Sequence, residues 1–284
     1  MDNARPSRTA YRVAVRRAEH QVLDRYRVFE DPLALRIIDA EMAVKIRSGN
    51  VTRQQRLSHS FRAFMAVRSR FAEDELARSV AGGIRQYVVL GAGLDTFAYR
   101  NPHASTGLRV YEVDHPATQA WKRERLQSGN IGIPGNLVFV GADFERQTLA
   151  EAMHAADFRR DEPAFFSWLG VVPYLTERAF DETIRFIAAM PEGSGVVMDY
   201  PIPRSSLNLI ERIALDALSD RVAKAGEPFR LFLDPNELAT RLRGLGFRHL
   251  EDLGRDQMNA RYFPENAGRF KVRGNLAHLI CARV

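Results

Sequence analysis

The chain has 284 residues, 45% hydrophobic and 27% charged, the size and mix of one large α/β domain, with or without a lid. No apolar run approaches the roughly 18 residues that cross a bilayer, and a single cysteine, Cys281, excludes an internal disulfide framework. Net charge is +6 but uneven: residues 1–70 hold 15 Lys+Arg against 7 Asp+Glu, and the remainder 26 against 28. Met1 to Arg17 is polar and arginine-rich without an apolar stretch, so a secretory signal is not expected and a cytoplasmic location is. A basic arm suits nucleic acid or an acidic substrate. These arginines are interleaved with apolar residues, however, which favours helices whose charges are solvated or paired with acids of the main domain.

In chain order, residues 9–29 read as a helix, with Ala14, Ala18, Val22 and Leu23 at three- and four-residue spacing. Asp31-Pro32 opens a second helix carrying Leu33, Leu35, Ile37 and Ile38, and Ser48-Gly49-Asn50 breaks it. A third runs from about Gln54 to Val80 and closes at Gly82-Gly83. From Arg85 strand and helix alternate, the pattern of a parallel sheet flanked by helices. Strands are expected at 87–90, 109–113, 137–140, 164–170, 195–199, 247–253 and 276–284. Helices are expected near 116–127, 146–156, 176–190 and 206–225, and from Asp234-Pro235 to Gly244. The expected division is one domain: an N-terminal helical cover (1–83), a nucleotide-binding Rossmann-like core (84–200), a lid (201–233) and the C-terminal part of the core (234–284).

The first strand runs without a break into Gly91-Ala92-Gly93, whose glycines let the chain turn sharply and approach a ligand. About twenty residues on, the second strand ends at Glu112-Val113-Asp114, so a glycine turn and a carboxylate form a nucleotide-binding corner. A dinucleotide fold wants a third glycine three residues after the second; none occurs before Gly107, and Asp95 places an anion where a pyrophosphate would sit. That disfavours NAD or FAD and favours a ligand without phosphates. S-adenosyl-L-methionine is such a ligand: ribose hydroxyls suit Asp114 or Glu112, the adenine amino group suits Asp143, and the carboxylate suits Arg68 or Arg70. Asp95 reads equally as a cap for the chain that follows.

With these residues in place, the chain resembles the leucine carboxyl methyltransferase-like family of class I S-adenosyl-L-methionine-dependent methyltransferases. That family includes enzymes methylating protein phosphatase C-termini and polyketide O-methyltransferases. The carriers are Arg68-Ser69-Arg70-Phe71, Gly91 to Thr96, Tyr111 to Pro116, and Gly141-Ala142-Asp143-Phe144, in matching order and spacing from about Thr9 onward. The resemblance implies a mostly parallel sheet whose last strand is antiparallel. It also implies that Arg68 holds the cofactor carboxylate, that Gly91 and Gly93 form the turn against its amino-acid end, that Asp114 binds the ribose, and that Asp143 with Phe144 flanks the adenine. Relatives often carry a glutamate where Leu169 stands, so that acid's contact must be lost, made by backbone or supplied elsewhere. Tyr174 matches a tyrosine near the methyl-transfer site and is expected to position substrate. Trp168 and Tyr200 read as core residues, His115 as a neighbour of the ribose acid, and the seven histidines form no metal spacing.

The expected activity is methyl transfer from S-adenosyl-L-methionine, leaving S-adenosyl-L-homocysteine, to a carboxylate or hydroxyl of a small molecule. A carboxylate, with pKa about 4, needs no general base, whereas a phenol near 10 would benefit from one. No His–Asp pair is legible, and the basic cover suits an acid. A protein C-terminal carboxylate, a nicotinamide-dependent reductase and a non-catalytic cofactor-binding relative are the alternatives; neither nucleic acid nor membrane is expected as a partner.

Overall fold

The computed structural model describes residues 7–50, 52, 58–143, 147–264, 268 and 270–284. Seven strands, β1 Gln86–Leu90, β2 Arg109–Asp114, β3 Leu137–Gly141, β4 Ala164–Trp168, β5 Gly195–Pro201, β6 His249–Leu253 and β7 Ala277–Arg283, form one sheet in the order 3-2-1-4-5-7-6. β7 runs antiparallel to both of its neighbours, and the pairs among β1 to β5 are parallel. The parallel part of the sheet is the one expected from the alternation of apolar runs and helices, and the antiparallel last strand is the one that the family resemblance implies. Strand order reverses between β1 and β4, the switch point outside whose carboxyl ends ligands bind in open α/β sheets.

Period-two alternation sends the two faces of each strand into separate cores. Val88 and Leu90 of β1 join Phe166, Trp168, Val196 and Met198 on one face; Tyr87 and Val89 join Phe165 and Val197 on the other. Helices flank both faces: α1 Arg8–Leu23, α2 Ala34–Ile37, α3 Ala40–Arg47, α4 His59–Ala81, α5 Pro116–Ser128, α6 Leu149–His154, α7 Glu177–Ala188, α8 Leu209–Ala223, α9 Pro235–Gly244 and α10 Arg255–Tyr262. Their starts are chemically marked. His115 accepts from Ala117 N–H with Pro116 at the first helical position, Thr176 caps α7, Asn208 and Glu211 make a capping box, and Asp234 caps α9. The N-terminal helices α1 to α3 form a third apolar cluster with Leu94 and with Leu126 of α5.

Three expectations about elements are corrected. The first helix stops at Leu23, because Asp24 turns extended and its buried carboxylate meets Arg62 and His20. The second divides at Ile38, also extended, and Asp39 caps the new start by accepting from Met42 N–H. The helix Arg255–Tyr262 was not expected at all; it buries only Met258 and has no side-chain cap, so its sequence carries little period. Among the described residues no helix is long and apolar enough to cross a membrane.

Candidate functional site

The glycine loop after β1 is held from below and covered from above. Gly91 and Ala92 donate to the Val113 carbonyl at 2.8 and 3.1 Å, which ties the loop to the end of β2. Gly91 has φ +65° and Gly93 φ +46°, the left-handed region that favours glycine. A Cβ at Gly91 would run into the Val171 side chain, and one at Gly93 would lie 3.0 Å from Ala10 Cβ on α1. The start of α1 therefore seats directly on the loop. Below them lies a cavity of about 760 Å³, lined by this loop, the ends of β2, β3 and β4, and the start of α1.

Asp114 lines this cavity and accepts from Gly93 N–H and from His115 N–H, the latter at 2.7 Å. Burial pushes its carboxyl above the usual carboxylate range, against the pull of those two N–H groups. Glu112, two residues earlier on the same face, does not line the cavity. It is buried beneath the sheet end, 2.7 Å from Lys122 and 3.2 Å from the Tyr99 hydroxyl, and burial raises its pKa to about 6. Of the two acids, only Asp114 lines the cavity.

Asp95 serves as cap and as ion partner together. One oxygen accepts from Phe97 N–H at 2.7 Å and the other from Arg17 at 3.1 Å, while it lines the cavity. Burial alone would raise its pKa; Arg17, Lys122 and Arg100 outweigh that and hold it below the usual range. Arg17 also binds Asp31 at 2.6 Å, and Arg62 binds Asp24 at 2.6 Å, so basic residues of the N-terminal third are paired internally. Asp143 lines the cavity beside Gln147 and Thr148, and Phe144 lies outside the described residues. Arg68 lines the cavity from the middle of α4, whereas Arg70 does not. Two residues on is just over half a turn away, and Arg70 is exposed against Asp74.

Leu169, where the family resemblance leads to the expectation of a glutamate, lines the cavity. An acid does stand close by: Asp199, near the end of β5, accepts from Arg68 at 3.0 Å and from the Gly170 N–H. Gly170, at φ +70°, leaves room for the guanidinium, since a Cβ there would lie 3.0 Å from Arg68 Nη1. Asp199 was missed in the sequence, although an acid ending a buried apolar run is the signal that marked Asp114. Trp168 stacks on Phe180 within the core, centroids 5.5 Å apart, and the buried Tyr200 donates its hydroxyl to Asp252.

A second cavity of about 800 Å³, mostly apolar, opens on the other side of Arg68. The two cavities share Thr9, Val13, Arg68, Gly170 and Tyr174. Tyr174 sits in a 3-10 turn, Val172–Tyr174, with its ring 5.4 Å from Phe229. Burial pushes its hydroxyl up to about 12; hydrogen bonding to Thr9 opposes the shift and Glu227 adds to it. Glu227 in turn accepts from Ser7 at 2.9 Å and from Thr9. This joins the loop after α8 to the start of α1. Neither Thr9 nor Glu227 was singled out in the sequence, because each gains meaning only from a partner more than two hundred positions away.

With this geometry established, the comparisons with known proteins align with it. The leucine carboxyl methyltransferase family model matches residues 10–188, more than half of the chain. The chain belongs to that family. YktD of Bacillus subtilis, named for an inferred S-adenosyl-L-methionine-dependent methyltransferase activity, is 34% identical over 69% of this chain and 65% of its own length. A Saccharopolyspora erythraea protein of the same description is 34% identical over 60% of this chain and 58% of its own. The chain thus spans less than two-thirds of the length of these relatives. A solved structure from Thermobifida fusca, titled as a methyltransferase by inference, matches with TM-score 0.57 at 17% identity, covering 99% of this chain and 96% of that one. A Streptomyces avermitilis protein of the duf574 family matches with TM-score 0.55 at 16% identity, over 94% and 99% of the two chains. These two show the fold.

Proposed function

We propose that the protein is an S-adenosyl-L-methionine-dependent methyltransferase that O-methylates a carboxylate or hydroxyl of a small molecule. The observation that carries the reading is the meeting of two cavities at one wall. One is built around the glycine loop, Asp114 and Asp143; the other is mostly apolar; Arg68, Gly170 and Tyr174 border both. The first suits the methyl donor. Its glycine loop lets the backbone come close, Asp114 offers lone pairs to a ribose diol, Asp143 an acceptor to an adenine amino group, and Arg68 a cation to a carboxylate.

When bound there, the sulfonium supplies an activated methyl group whose departure needs no acid. The chain's part is to hold an incoming oxygen in line with that methyl group and to exclude water. Tyr174 stays protonated at neutral pH and can donate to such an oxygen from the shared wall. We further read residues 1–83 as a cover, 201–233 as a lid and the rest as the core. The Glu227 contacts with Ser7 and Thr9, which close lid onto cover, support that division.

Calorimetry with S-adenosyl-L-methionine, S-adenosyl-L-homocysteine and NADH tests the donor assignment. Both adenosyl ligands are expected to bind and NADH not to. Binding of NADH alone would overturn the reading in favour of a reductase.

A further inference from the structure

Tyr174, Thr9 and Glu227 form a chain of hydrogen bonds that runs in one direction. Glu227 is buried on the wall of the first cavity; one of its oxygens accepts from the Ser7 hydroxyl at 2.9 Å and the other from the Thr9 hydroxyl. A carboxylate has no proton to give, so the single hydroxyl proton of Thr9 is committed to Glu227. Toward Tyr174, Thr9 can then only accept, and the Tyr174 proton is committed to Thr9. Tyr174 borders both cavities and keeps its oxygen lone pairs for an incoming group. A hydroxyl arriving there donates to Tyr174 and lengthens the chain. A carboxylate, which only accepts, would have to draw the Tyr174 proton away from Thr9. The acids that line the second cavity are committed to cations, Glu19 to Arg16 at 2.6 Å and Asp199 to Arg68 at 3.0 Å. No histidine is among its described lining residues. Glu227 differs: among the described residues it forms no ion pair, and the hydrogen bonds to its carboxylate come from hydroxyls.

We propose that Glu227 is the proton acceptor for methyl transfer to a hydroxyl, reached from the second cavity through Tyr174 and Thr9. The inference rests on the methyltransferase reading and adds to it the base that a hydroxyl acceptor benefits from. As the hydroxyl oxygen forms the new O–CH3 bond, the S–CH3 bond of the sulfonium donor breaks and its bonding pair returns to sulfur. The hydroxyl proton passes to Tyr174 Oη, the Tyr174 proton to Thr9 Oγ1 and the Thr9 proton to Glu227 Oε2. The products are a neutral ether, a neutral thioether and a protonated Glu227, which returns its proton to water. Tyr174 and Thr9 each end as they began, protonated.

The test uses the full chain with saturating S-adenosyl-L-methionine and three acceptors of similar shape: 4-hydroxybiphenyl, the more acidic 4-hydroxy-3-nitrobiphenyl, and biphenyl-4-carboxylic acid. Their apolar bodies suit a wall that includes Phe64, Met65, Ala217 and Leu218, and mass spectrometry follows the methylated products. At about pH 8.5 the nitrophenol is largely ionised, whereas the parent phenol, with pKa near 10, is not. Methylation of 4-hydroxybiphenyl is expected. Glu227→Gln and Thr9→Val should each lower kcat on it about a hundredfold. The nitrophenol brings no proton, and its kcat should fall by no more than about threefold in the same variants. Thr9→Ser restores the relaying hydroxyl and should recover most of the loss. Equal losses on the two phenols would make the chain a structural contact and overturn the relay, as would undiminished kcat of either variant on 4-hydroxybiphenyl. Methylation of the carboxylic acid alone, or of none of the three while S-adenosyl-L-homocysteine binds in calorimetry, also overturns the relay and leaves the methyltransferase reading standing. Failure of the adenosyl ligands to bind overturns that reading itself.

Discussion

Both carboxylate oxygens of Asp114 accept backbone N–H groups, so this side chain shapes the glycine loop as well as facing the cavity. Asp114→Ala should therefore act twice. Loss of the diol acceptor should weaken S-adenosyl-L-homocysteine at least tenfold, about 1.4 kcal/mol by calorimetry. Loss of an acceptor for Gly93 and His115 should also cost about 1–3 kcal/mol in urea unfolding. Asp114→Asn keeps one acceptor oxygen and should fall between. A dissociation constant unchanged in Asp114→Ala would remove the ribose assignment. Asp114, Asp143, Gly91 and Gly93 could be read from the sequence because each sits where a strand ends, and strand ends mark themselves in apolar runs. Asp199, Thr9 and Glu227 reach the site through packing between distant elements, and no local pattern announces that.

The glycine loop shows how one element constrains another. At Gly91 an alanine would meet two separate costs. The left-handed conformation costs a Cβ-bearing residue about 1–2 kcal/mol, and the clash with Val171 forces movement worth roughly 1–3 kcal/mol more. Gly91→Ala should thus lower stability by at least about 2 kcal/mol, and Val171→Ala added to it should recover the clash but not the backbone cost. Urea midpoints of the unaltered protein, the two single variants and the double variant give the coupling; strict additivity would mean that the two residues do not meet. A gentler change, Glu227→Gln, should weaken the contact that joins the α8 loop to Ser7 and Thr9. Amide exchange at the start of α1 should quicken, and S-adenosyl-L-homocysteine should dissociate faster. Exchange unchanged there would show that the contact does not hold the cover. The major strands were legible as buried runs. The short α10 and the early end of α1 were not, since a single buried methionine and an Arg62–Asp24 pair decided them.

Across the whole molecule, buried carboxyls of two kinds set how stability responds to pH. Burial raises Glu112 to about 6 despite Lys122, so between its ordinary value of 4.5 and 6 the folded chain binds more proton than the unfolded one. By linkage, stability then rises as pH falls through that window. Asp24 and Asp95 have the opposite sign. Burial would raise both, but Arg62 and His20 at Asp24, and Arg17, Lys122 and Arg100 at Asp95, hold them below the ordinary 3.8. Their stabilisation is complete above that value and is lost as pH falls through the folded-state pKa values. The urea midpoint should therefore climb gently from neutral pH to about 5, then drop steeply below about 4. Glu112→Gln should flatten the gentle climb. Asp24→Asn should be destabilised at neutral pH by about 3–5 kcal/mol, because Arg62 keeps a buried charge without its counter-ion. That deficit should shrink below pH 4, where the native carboxyl becomes protonated too. A deficit constant down to pH 2.5 would mean that Asp24 is not the group whose protonation loosens the fold.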